Sequence, residues 1–179
     1  MFLLDRIIQL LVGGFFIFSG LIKLFPAESF ELYLFSIPIF TWNTSILFAR
    51  ILVAWELILG LSILFHWKSR LSTSLAIITT SLFSIFLGYQ IAVGNLENCH
   101  CLGDYSSLNP FESLLKNAVL LSLLILLWKK PFSWSKINLK GVGGLLIIIG
   151  LFMPIILSPP DSWITHQYNR SKEGRLINR

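Results

Sequence analysis

Long apolar runs separated by short polar stretches set the pattern of this chain. A helix that crosses a bilayer needs about 20 mostly apolar residues. The runs Ile7 to Phe25, Thr44 to Phe65, Leu71 to Val93 and Phe111 to Trp128 reach that length. A shorter run, Val142 to Leu157, contains Pro154 and is read as a fifth transmembrane helix. The stretch "PAESFELYLFSIPIFTWN" carries Pro26, Pro38 and two acids, which suits an interfacial segment better than a span. Its Tyr33 and Trp42 are residues that favour the membrane–water boundary. The predicted fold is an all-α membrane protein. A four-helix transmembrane bundle occupies residues 1–128, a basic loop and the fifth segment 129–160, and a polar tail 161–179.

Composition strengthens this reading. The chain has 179 residues, 55% of them hydrophobic, with a mean hydropathy of +0.76. A soluble core of this size has no room for so much apolar surface, so lipid must serve as solvent. Asp5 and Arg6 precede the first run and no small-residue cleavage site follows it, so that run is expected to stay as an anchor. The net charge of +5 does not imply nucleic acid, because the basic residues gather at helix ends.

Charge also sets the orientation. "HWKSR" and "KKPFSWSKINLK" are basic and are expected on the cytoplasmic side. The first loop, with Glu28 and Glu31, and the loop "NCHCLGD", with Asp104 and the nearby Glu97, carry no lysine or arginine. They are expected to face outward, into the periplasm if this is a bacterial inner membrane. Five spans would put the tail outside as well, although it holds Arg170, Lys172, Arg175 and Arg179.

The candidate chemistry lies in "NCHCLGD" and in the charges of the spans. Cys99 and Cys101 are the chain's two cysteines. A disulfide between them would close a small, strained and easily reduced ring, which favours a redox role over a structural one. A structural bridge or two idle thiols is the plain alternative. His100 stands between the cysteines, so a zinc or copper site at Cys99, His100 and Cys101 is a further reading. Charges inside a bilayer are costly and usually face a bundle interior. Arg50 is expected about 9 Å and Glu56 about 18 Å below the outer end of the second span. Lys23, Tyr89, Gln90, Lys116 and Asn117 fall towards the same side. They define an expected polar pocket of Lys23, Arg50, Glu56, Gln90 and Asn117 in the outer half, with Gln9 the main polar residue of the inner half. Lys23 and Arg50 would favour a thiolate, with Glu56 as counter-charge. The plainer readings are that Lys23 snorkels to the headgroups and that Arg50 and Glu56 form a structural pair, although they lie about 240° apart on one helix.

Four segments, in order, carry a resemblance: "GGFFIFSGLIKLF", "ARILVAWELILGLSIL", "CHCLGD" and "LLKNAVLL". Over residues 7–128 the chain resembles the DoxX/MauE group of bacterial membrane proteins. The cysteine pair with Leu102 and Gly103 resembles the MauE branch, whose pattern usually reads C-x-C-F-G; Leu102 departs from it. The resemblance implies a four-helix membrane core and a part in periplasmic disulfide chemistry, as in the maturation of methylamine dehydrogenase. The matching positions are Ser19, Gly20, Lys23, Arg50, Glu56, Cys99, Cys101 and Asn117. Similar proteins in some bacteria continue into a periplasmic thioredoxin-like domain, so the resemblance implies that the tail is the start of such an attachment or a docking handle.

The leading expectation is therefore a thiol–disulfide redox protein of the inner membrane, acting through Cys99 and Cys101 on a periplasmic thioredoxin-fold or disulfide-containing partner. A quinone is the natural second redox partner, with Arg50 and Glu56 near its head and Phe15, Phe16, Trp55 and Tyr89 as lining. Two alternatives stand beside it. One is a non-enzymatic anchor or assembly factor; the other is a metal-handling protein.

Overall fold

A computed structural model describes residues 2–24, 27–37, 39–67, 69–93, 109–129 and 142–157. These form α1 (Phe2–Ile22), α2 (Ala27–Phe35), α3 (Trp42–Leu64), α4 (Ser69–Val93), α5 (Pro110–Lys129) and α6 (Val142–Leu157), with no strand among the described residues. The all-α expectation holds, and α1, α3, α4 and α5 are each long and apolar enough to cross a membrane. Each of these four helices starts one to five residues before its apolar stretch, while α1 ends at Ile22 and α3 at Leu64, short of the stretches' ends. Asn109 precedes α5, Pro110 opens it, and Glu112 Oε2 accepts a hydrogen bond from the Asn109 backbone N–H at 3.0 Å. Proline at a helix's first position and a carboxylate folded back onto the cap both satisfy that end. At α3 the Thr41 N–H donates to Thr44 Oγ1 at 2.8 Å, which closes the same kind of box.

α3 is the centre of the molecule and packs against α1, α2, α4 and α6. Its closest neighbour is α1. A Cβ placed on Gly60 would stand 2.9 Å from the Gly13 carbonyl oxygen and 2.8 Å from Ile17 Cγ1. Bare glycine backbone therefore permits this crossing, as small residues do between membrane helices. One apolar core joins Val12 and Phe16 of α1 to Leu59 and Ile63 of α3, Ala76 of α4 and Leu124 of α5. A second joins Leu24 to Val53 and Leu57, with Met153 of α6 against it.

α6 packs along α3, Gly150 against Ile58 and Gly143 against the Trp67 indole. It has 16 residues and holds Pro154 in its interior. α2 has 9 residues, about 14 Å at 1.5 Å each, too short to span. Phe30 and Leu34 of α2 are buried against Ala49 of α3. The segment expected at the interface thus supplies a buried face to the bundle, and its Glu31 is buried rather than turned outward.

The two ends of the bundle differ. At one end Gln9 Nε2 donates to the carbonyls of Ile63 at 2.7 Å and Leu64 at 2.9 Å, and it also meets His66 Nδ1. These carbonyls are among those a helix leaves without partners at its C-terminus. His66 has φ 57°, a left-handed conformation uncommon for a residue with a Cβ. At the same end Trp128 Nε1 donates to Ser74 Oγ at 3.1 Å, which sets α5 antiparallel to α4. Val93 and Pro110 consequently lie together at the opposite end. The chain between them, 94–108, carries Cys99, His100 and Cys101, which lie outside the described residues.

Candidate functional site: a buried ionic cavity

Four helices converge on a cavity of about 40 Å³. α1 contributes Ser19 and Lys23 follows it, α3 contributes Glu56, α4 Thr80, and α5 Lys116 and Asn117. Phe15, Phe16, Phe83 and Leu120 complete the walls. Of the expected pocket residues, Lys23, Glu56 and Asn117 line this cavity, whereas Arg50 and Gln90 do not.

Lys23 is 3% exposed and Glu56 7% exposed. Lys23 Nζ donates to Glu56 Oε1, forming a buried ion pair, and stands 3.3 Å from Ser19 Oγ. The snorkelling reading of Lys23 is therefore overturned, because its ammonium is drawn inward to a carboxylate. Glu56 Oε2 is buried and has no hydrogen-bond partner among the described residues. Asn117 is buried and lines the same cavity, and Lys116 Nζ lies 5.5 Å from the centroid of the Phe15 ring.

Arg50 belongs to a second pair. Its Nη2 stands 2.7 Å from Glu31 Oε1, in an ionic contact that joins α3 to α2. Arg50 and Glu56 do not pair, as their angular separation on the helix requires. The thiols on which Lys23 and Arg50 are expected to act lie outside the described residues. Each cation is matched by its own buried carboxylate, so the four charges largely cancel beyond the cluster. Arg50 and Glu56 thus sit in two separate ion pairs, one with Glu31 and one with Lys23.

Gln90 does not reach the cavity; its Nε2 donates to the Tyr33 hydroxyl at 3.3 Å. Tyr89 is 64% exposed and faces away from both sites. Phe15 and Phe16 do line the cavity, whereas Trp55 donates to Thr79 Oγ1 at 2.9 Å on the side of α3 towards α4. The sequence reading missed the Glu31–Arg50 pair and the Gln9–His66 cluster. Each has partners far apart in the chain, and the only local signal was polarity within an apolar run.

Taken together, the long apolar helices and the buried ion pairs define a multi-pass membrane protein with a polar interior. The chain belongs to the methylamine utilisation protein MauE family, whose model matches residues 1–130. Protein TlpB of Flavobacterium psychrophilum is 30% identical over 161 residues, covering 84% of this chain and 42% of that protein. The chain thus spans less than half the length of this curated relative. No solved structure matches it.

Proposed function

We propose that this protein is a thiol–disulfide redox component of the bacterial inner membrane, with Cys99 and Cys101 facing the periplasm. The observation that carries the reading is positional. The cysteine-bearing segment joins α4 to α5 at the end away from Gln9 and His66, and those two helices supply Thr80, Lys116 and Asn117 to the buried cavity. Membership of the MauE family supports it.

In the reduced form, one thiolate of the pair attacks a disulfide of the periplasmic partner. A mixed disulfide forms and one partner thiolate leaves. The second cysteine then attacks its neighbour's sulfur in the mixed bond, the second partner thiolate leaves, and a Cys99–Cys101 disulfide forms. Two electrons pass to the partner, and the reverse sequence oxidises it. The partner is a thioredoxin-fold or disulfide-containing protein.

A second reading, a membrane anchor or assembly factor, draws on the length of the relative, most of which lies outside the match. The two are separated by Cys99→Ser and Cys101→Ser. Redox exchange predicts near-normal folding, loss of activity and a trapped mixed disulfide in one single variant. A double variant that retains full activity in cells leaves the anchor reading standing. Labelling by a membrane-impermeant thiol reagent on intact spheroplasts, after mild reduction, tests the outward placement.

A further inference from the structure

Beside the ionic cavity, sharing Thr79 and Phe83 with it, runs a larger slot of about 430 Å³. It is walled by Tyr33 of α2, Phe48 and Trp55 of α3, and Phe83 and Phe86 of α4, with Phe40 at one end. Its volume falls within the range of small-molecule sites, about 300–1,000 Å³. None of the described residues that line it is charged. Its α3 wall runs from Phe48 to Trp55, about 10 Å at 1.5 Å per residue.

The two ends of the slot differ in hydrogen-bonding capacity. At the Trp55 end the polar groups are consumed: the indole N–H donates to Thr79 Oγ1, and the Thr79 hydroxyl donates to the Leu75 carbonyl at 2.9 Å. At the Tyr33 end the Gln90 amide donates one N–H to the Tyr33 hydroxyl. A primary amide carries two N–H donors and an acceptor oxygen, so capacity remains there. An occupant of this slot places an apolar tail at Trp55 and a polar head at Tyr33 and Gln90. An uncharged wall gives no counter-charge for a phosphate, and aromatic side chains favour a flat ring by stacking.

We propose that this slot between α2, α3 and α4 binds a membrane quinone, with its ring among Tyr33, Phe48 and Phe86 and a ring carbonyl accepting from Gln90. The choice of a quinone over other uncharged ring lipids rests on the redox reading above. The slot itself does not, since its described walls come from α2, α3, α4 and the residues between α2 and α3.

The test uses the full chain in phosphatidylcholine nanodiscs, with decylubiquinone as probe and tryptophan emission as readout. Saturable quenching is expected, because Trp55 lines the slot. Leu82 lines the slot but is itself exposed, so Leu82→Trp narrows the entrance without disturbing a core. It should weaken binding at least tenfold, and Gln90→Leu several-fold, with unchanged helix content by circular dichroism. A variant lacking both cysteines should bind as wild type, which keeps this result separate from the fate of the redox reading. Quenching that does not saturate, or that ignores Leu82→Trp, overturns the proposal. So does extraction of only phospholipid from the purified protein where quinone is expected.

Discussion

Lys23, on the turn after α1, reaches back to Glu56 on the fifteenth residue of α3, and both side chains are sealed from solvent. Removing one member of a buried ion pair leaves an uncompensated charge and costs about 3–5 kcal/mol. Glu56→Ala is expected to lose most of its folded yield in detergent. Glu56→Gln keeps an acceptor for Lys23 and should lose less. Replacing both charges, Lys23→Met with Glu56→Met, should fold better than Glu56→Ala. Yields that match wild type in all three variants would refute the pair's structural role.

The Arg50–Glu31 contact fastens a short helix that has little else polar to hold it. Arg50→Met and Glu31→Ala should each loosen α2 while leaving α3 intact. Faster hydrogen exchange confined to residues 27–37 is the expected signature. Exchange that rises equally in α1 and α3 would mean that the pair supports the bundle as a whole.

Gly60 and Gly13 set a crossing with no room for a side chain. Gly60→Val overpacks it and should lower stability by about 1–3 kcal/mol or more. Gly14 and Gly88 lie on the same kinds of helix but have open space around the Cβ position. Alanine at either should be neutral or stabilise by about 0.5–1 kcal/mol, because glycine costs a helix interior that much. Thermal unfolding in detergent distinguishes the two classes.

The His66 pKa is lowered from its ordinary 6.5, first by burial and then by the charge of Arg6. The folded protein therefore prefers the neutral ring. Below pH 6.5 the unfolded chain binds more protons than the folded one, so stability falls as the pH drops from 6.5 towards the lowered value. Above 6.5 this contribution is fully present. His66→Asn keeps a residue that tolerates the left-handed backbone and removes the titration. Its melting temperature should change less between pH 7.5 and pH 5.5 than that of the wild type. An equal change in both would locate the acid sensitivity elsewhere.

The spanning helices were legible because lipid imposes a length and a composition that a run such as Thr44 to Phe65 cannot disguise. The helix of Val142 to Leu157 was legible in its bounds for the same reason. Lys23, Glu56 and Asn117 were legible as an inward-facing group, because a bilayer makes idle polarity expensive. Their partners were not. Glu56 pairs with a residue 33 positions away, and Arg50 with one 19 positions back, in a segment that composition assigns to the surface. The aromatic slot was also invisible, since Phe48 and Phe86 look like any lipid-facing ring until α2 is laid across them.

The distance along the chain between Lys23 and Glu56 bears on biogenesis. α1 is synthesised before α3, so the ammonium reaches the insertion machinery alone. At about 5–20 residues per second, the carboxylate follows about 2–7 seconds later. During that interval α1 carries an unmatched cation at one end and, at Gln9, amide donors whose acceptor carbonyls on α3 do not yet exist. α1 is therefore a poor resident of free lipid until α3 arrives. In the folded protein α3 completes α1 rather than merely joining it, supplying the acceptors for both Lys23 and Gln9.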